Sequence, residues 1–264
     1  MSKTVLSPAL VGDAFFAASL TGSHAAQWRP GLVPARHSEV FASSSEAGGA
    51  AAALALALDG LRVQGLGAQG LDTDDRREVL WVQDRPSLRR SGRPYCPGLP
   101  PQVRTRVIHV AANTPEDALF ALEEGLRCRD LACVIGELAG NPKALGLTAS
   151  RRLSLAAEKH GVPLFLIRHD ARRDISSARM RWEVRSAPSS HPRWNGGAPG
   201  APAWQAELFR ARAHREGKWI LRDDGSKLVA SREDAATRET GSPDHGDLAE
   251  AVGARSLAAV TARR

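Results

Sequence analysis

The chain has 264 residues, 42% of them hydrophobic, enough for one cored domain of roughly 150–220 residues with tails, or for two small ones. It carries 36 Lys and Arg against 29 Asp and Glu, a net charge of +7 that favours an anionic partner, most simply a nucleic acid, although a GC-rich genome inflates arginine and alanine to the same effect. No apolar run approaches the roughly 18 residues of a membrane span, and Lys3 with no apolar stretch behind it argues against a secretory signal.

Residues 1–38 read as a leader. The pattern allows a helix from about Pro8 to Leu20, and a Pro/Gly/His-rich link runs from Trp28 to His37. The folded core is expected over 39–222. It opens on Glu39-Val40-Phe41-Ala42-Ser43-Ser44-Ser45-Glu46-Ala47-Gly48-Gly49-Ala50-Ala51. A short apolar strand (Val40, Phe41) enters a small-residue loop, and an Ala/Leu-rich helix follows through Leu54, Leu56 and Leu58. This is the strand–loop–helix context of a phosphate-binding loop, yet the G-x-x-x-x-G-K-[ST] pattern fails. Gly48-Gly49 or Gly49-Ala50 stands where Lys-Thr would, so no lysine reaches the β/γ-phosphates and no hydroxyl ligates Mg²⁺. Ser43, Ser44, Ser45, Gly48 and Gly49 therefore form a degenerate nucleotide loop.

Glu78 to Gln83 predicts a buried strand, Asp84 to Arg104 a Pro/Arg-rich loop, and Arg106 to Val110 another strand. Thr114-Pro115-Glu116-Asp117 is a helix start, with Thr as N-cap and Pro at N1. Leu119, Leu122 and Leu126 follow at helical spacing. Leu131 to Glu137 is a further buried strand. Thr148 is expected to cap the next helix, which carries Leu153, Ala156, Ala157 and His160 on one face and ends at Gly161. Val162 to Ile167 is again a buried strand. Strands and helices alternating at this length predict an α/β fold with a parallel sheet.

The pattern changes after Arg168. Arg179 to Arg185 alternates strictly, and together with Trp204–Leu208 and Lys218–Arg222 it predicts antiparallel additions to the sheet edge. Trp182, Trp204 and Trp219 fall at inward positions of these strands. Residues 223–264 read as a mostly disordered tail. Within it, Leu248, Val252, Leu257 and Val260 make a short amphipathic piece of the kind that lies in a partner's groove.

The order of these pieces resembles the RecA core and, more closely, the ImuA family of RecA-like accessory proteins from bacterial inducible-mutagenesis cassettes. The residues that carry the match are Glu39 to Ser43, Pro115 to Leu119, Leu122 to Leu126, Val134 to Leu138, Leu147 to Leu153, Ala178 to Trp182 and Trp204 to Arg212, over about 39–222. The resemblance implies an α/β, RecA-like core: a mostly parallel central sheet, helices on both faces and antiparallel C-terminal strands. The missing lysine and hydroxyl of the loop predict no ATPase activity and no cofactor, and the resemblance implies a place in SOS-induced, error-prone translesion DNA synthesis. The partners it implies are ImuB, an inactive Y-family polymerase homologue, and an error-prone C-family polymerase, with RecA and single-stranded DNA as further candidates and no membrane. A SulA-type damage-induced inhibitor of cell division also has a RecA-like core without a P-loop. Such proteins are usually shorter, and the basic stretch from Arg168 to Arg193 has no obvious use there.

Glu137 ends its strand where a P-loop ATPase holds its Walker B acid. With the lysine and the hydroxyl gone, charge-assisted contacts of about 1.5–3 kcal/mol each are lost, and Glu137 is expected to be a relic or a hydrogen-bonding residue. In RecA-like folds the loops at the carboxyl ends of these strands face DNA. Here they are 137–147, with Lys143, and 169–178, with Arg172 and Arg173. Arg179 and Arg181 follow on the next strand, and Arg151 and Arg152 lie on the polar face of a helix. These residues could take phosphates without reading sequence, the plain alternative being solvated charge. Three cysteines (Cys96, Cys128, Cys133) lack C-x-x-C spacing and suit a reducing cytoplasm, and the histidines form no cluster with metal-ligand spacing.

Overall fold

Short runs rich in Val, Ile, Leu, Phe and Trp form the strands of a nine-stranded sheet in the order β3-β2-β4-β5-β1-β6-β7-β8-β9. The structure is a computed structural model that describes residues 36–63, 77–192, 195–225 and 227–232. The strands are β1 (His37–Ala42), β2 (Glu78–Asp84), β3 (Val107–Ala112), β4 (Leu131–Ala139), β5 (Leu164–His169), β6 (Met180–Ser186), β7 (Ala203–Ala211), β8 (Gly217–Asp223) and β9 (Leu228–Arg232). The main helices are α1 (Gly48–Val63), α2 (Arg85–Ser91), α3 (Pro115–Arg127) and α4 (Leu147–His160). Strands β1 to β6 are mutually parallel, and β7, β8 and β9 add to β6 in antiparallel fashion. The α/β class, the mostly parallel sheet and the antiparallel C-terminal strands match the expectation.

Helices cover both faces, for two different reasons. α1 is apolar nearly all round, so it must be buried. Ala52 to Leu58 and Leu61 pack on one face with Val40, Ile135, Ile167 and four strand tryptophans, Trp81, Trp182, Trp204 and Trp219. Trp182 and Trp219 meet edge to face at 5.9 Å. α3 and α4 are amphipathic and cover the other face, where Leu122, Leu126, Leu153 and Ala157 pack on Leu80, Val82, Val134 and Leu166. Thr114 does cap α3: its hydroxyl accepts from Asp117 N at 3.1 Å. Gly161 ends α4 in the left-handed region, φ 77°, as a C′ glycine does.

Four expectations need correction. Strand β6 is not an antiparallel addition; it lies parallel beside β1, and the direction reverses one strand later. Alternation reports which faces are buried, not which way the neighbour runs. Asp84 to Arg104 is not a loop throughout. Asp84 turns inward as N-cap of α2, its carboxylate accepting from Ser87 N at 2.8 Å, and Pro86 sits in the first turn. Thr148 is not a cap: α4 starts one residue earlier, and Gly146 is its N-cap without a side-chain bond. The ordered core does not stop at 222, because β9 pairs with β8 and buries Leu228. β9 is only five residues long and partly polar, and so reads as tail. The leader up to 35 and the piece carrying Leu248, Val252, Leu257 and Val260 lie outside the described residues.

Candidate functional site

The carboxyl ends of β1, β2, β4 and β5 converge on the degenerate nucleotide loop. In a working loop the backbone N–H groups face an anion supplied by the nucleotide. Here the chain supplies the anion itself. Asp170, just beyond β5, accepts from Ser44 N at 2.9 Å and from Ser44 Oγ at 2.6 Å. Arg90 of α2 reaches the same carboxylate at 2.8 Å. These bonds from Ser44, and secondarily the Arg90 charge, hold the Asp170 carboxyl below the usual range. Asp170 adopts φ 52°, the left-handed region that Asp visits more readily than most residues. A second carboxylate, Glu46, accepts from Ser186 N at 2.7 Å, which also lowers its pKa. Ser43 and Ser45 bond each other through their hydroxyls at 2.7 Å.

The glycines serve packing. A Cβ on Gly49 would lie 2.4 Å from Ala42 Cβ, and one on Gly48 would lie 2.8 Å from Ser186 Oγ. Close approach of α1 to the end of β1 therefore requires Gly49, whereas at Gly48 only the rotatable Ser186 hydroxyl stands in the way. No long side chain fits at Gly49 without moving α1.

Glu137, at the Walker B position, is 2% exposed and fully engaged. Trp81 Nε1 donates to it at 2.6 Å, His169 Nε2 at 2.8 Å and Ser91 Oγ at 3.1 Å. Burial works to raise its pKa, but the hydrogen bonds, that from His169 first, outweigh it and leave the carboxyl lowered. Nearby, His109 Nε2 donates to Gln83 Oε1 at 2.8 Å, and Gln83 Nε2 donates to Gly92 O at 2.9 Å. Among the described residues no group of three His, Cys, Asp or Glu side chains could hold a metal ion. No described helix is long and apolar enough to cross a membrane.

The basic candidates divide into three sets. Arg181 is 3% exposed and is corrected out of the nucleic-acid list: its Nε donates to the buried Glu39 at 2.7 Å, and it stacks over Phe41 and Phe209. Arg173, Arg179 and Arg152 are held by ion pairs. Arg173 pairs with Glu183 and Glu207 and lies 3.9 Å from the Phe209 ring centroid. Arg179 pairs with Glu158 at 2.6 Å, and Arg152 with Glu123. Lys143, Arg151 and Arg172 are exposed with no ion pair among the described residues. Asn141 ties two of their loops together: it accepts from Arg172 N at 2.7 Å and donates to Arg172 O at 3.1 Å.

Sequence reasoning missed the anions that close the site. Asp170 and Glu46 are ordinary loop residues until the fold brings Ser44 and Ser186 to them, 126 and 140 positions away. It also missed α2, although an Asp followed by a first-turn Pro is a start signal.

No protein-family model matches the chain. It is 33% identical, over 168 residues, to the protein named ImuA of Caulobacter vibrioides, in strain NA1000 and equally in strain ATCC 19089. That match takes in 58% of this chain and 63% of those relatives, so the chain spans less than two thirds of their length.

Proposed function

We propose that this chain is a non-catalytic, cytoplasmic RecA-like adaptor in SOS-induced, error-prone translesion DNA synthesis. The reading pairs it with an ImuB-like inactive Y-family polymerase homologue and an error-prone C-family polymerase, with RecA and single-stranded DNA as further contacts. The observation that carries it is the occupied loop: Asp170 takes the Ser44 donors, Glu46 is turned to Ser186 N, and Gly49 leaves no room for a lysine. A carboxylate already on the donors of the loop repels a triphosphate from them. A rigid sheet with an emptied cradle remains useful for gripping macromolecules. The 33% identity to ImuA supports the choice of process. The proposed tail docking segment, Leu248, Val252, Leu257 and Val260, lies beyond β9.

Two measurements test this. Titration of the full chain with a fluorescent ATP analogue and Mg²⁺ is expected to give no saturable signal, and tight magnesium-dependent binding would refute the reading. Co-purification with the polymerase homologue is expected from the full chain and is expected to fall for a chain ending at Arg232. Capture by neither form removes the adaptor, and undiminished capture by the short form removes the tail from it.

A further inference from the structure

Residues 85–115 contain six arginines and no acidic residue. The acid that precedes them, Asp84, is fully buried and consumed by the caps of α2 and by Ala139 N. Arg90 is compensated by Asp170. Arg85 and Arg89 are exposed on α2, four residues apart and so on one face, and have no acidic partner among the described residues. Arg93, likewise exposed and unpaired by any acid, follows the Gly92 that ends the helix. Two residues on, Tyr95 is 74% exposed. It is no loose side chain. Its carbonyl accepts from Gly98 N at 2.9 Å, and its ring lies so close to Gly98 that a Cβ there would be 3.1 Å away. A large solvent-facing aromatic thus follows, within ten residues of chain, three exposed arginines that no acid compensates.

We propose that α2 and the turn behind it bind single-stranded nucleic acid, with Arg85, Arg89 and Arg93 on backbone phosphates and Tyr95 stacked on a base. This deepens the adaptor reading, and rests on it for which strand the cell presents. The surface is continuous with the rim at the carboxyl ends of the strands. Arg90 bonds Asp170, two residues before Arg172, and Asn141 links Arg172 to the loop of Lys143. Guanidinium forks suit phosphates, and a π-face accepts any base, so the site is sequence-tolerant.

The test is anisotropy of a fluorescent oligothymidylate with the full chain, between about 50 and 200 mM salt. Arg85→Gln, Arg89→Gln and Arg93→Gln together are expected to weaken binding at least tenfold. They should also flatten the log–log salt slope by about 2, since each single-strand phosphate contact contributes about 0.7. The matching triple lysine variant keeps the slope. Tyr95→Ala is expected to lose roughly 5- to 150-fold in affinity with the slope unchanged, and Tyr95→Trp to retain it. All these side chains are exposed, so thermal midpoints check that the fold is intact. Unchanged affinity and slope in the glutamine variant would overturn the proposal. So would tighter binding of duplex DNA, or equal competition by polyglutamate, which would mark an acidic protein as the partner. Capture of the polymerase homologue is scored on the same variants. Lost oligonucleotide binding with capture intact supports this surface; lost capture with oligonucleotide binding intact in the glutamine variant overturns it and makes the surface a protein contact, whereas a wild-type chain that binds the oligonucleotide but captures no polymerase homologue removes the adaptor reading alone.

Discussion

Glu39 shows what a single residue can hide. It occupies a strand position between His37 and Phe41, fully buried, and accepts from Arg181 Nε at 2.7 Å and Ser176 Oγ at 2.6 Å. Arg168 stands 3.9 Å away and also pairs with Asp174. Breaking a buried pair by removing one member leaves a stranded charge. Arg181→Ala is therefore expected to cost about 3–5 kcal/mol, read from urea unfolding, while Glu39→Leu with Arg181→Met is expected to recover most of it. An Arg181→Ala variant that unfolds at the wild-type midpoint would contradict this. On the same face His37 is buried, its Nδ1 2.8 Å from Ser154 Oγ, and burial lowers its pKa to about 4 from an ordinary 6.5. The folded chain then binds fewer protons than the unfolded chain between those values. Stability from this group is complete above pH 6.5, falls as pH drops, and is lost by about 3 kcal/mol below pH 4. His37→Gln is expected to remove that part of the acid sensitivity, measured as the difference between the two stability–pH curves. None of this was legible beforehand: the pairing of positions 39 and 181 is set by the register of β1 against β6, which only the sheet determines.

Elements were most legible where their physics is local. α3 announces itself through Thr114, Pro115 and the leucines behind them, and Thr114→Ala is expected to cost about 1 kcal/mol in thermal or urea unfolding. α1 was legible from its alanine and leucine run. The loop ahead of it was legible as degenerate but not as closed, because closure depends on Asp170 from a distant strand end. Gly49→Ala places a methyl 2.4 Å from Ala42 Cβ and is expected to destabilise by about 1–3 kcal/mol. An unchanged unfolding midpoint would show that α1 shifts freely. Such a shift would also weaken the case that no lysine can be accommodated there. α2 was misread because prolines at 86, 94, 97, 100 and 101 dominate its neighbourhood and mask one short capped helix.

At the scale of the whole molecule, the parallel half of the sheet and the antiparallel half are stabilised differently. The parallel strands lie between α1 and the α3–α4 pair. The antiparallel strands share the α1 side through Trp204, Leu208, Trp219, Leu221 and Leu228. β9 finishes that row. Leu228 is 2% exposed, and its N–H donates to the buried Asp59 of α1 at 3.3 Å. The five residues of β9 are thus structural, although a period-2 pattern so short carries little signal. A chain ending at Asp223 loses Leu228 from the core and uncovers the edge of β8. It is expected to be about 2–5 kcal/mol less stable than a chain ending at Arg232, by the scale of a buried leucine removed. The comparison is between two truncations, read by urea unfolding of each, so whatever follows Arg232 cancels. Equal stability would mean that Leu228 and β9 lie on the sheet without holding α1. The capture experiment for the tail would then tolerate a cut as early as 223.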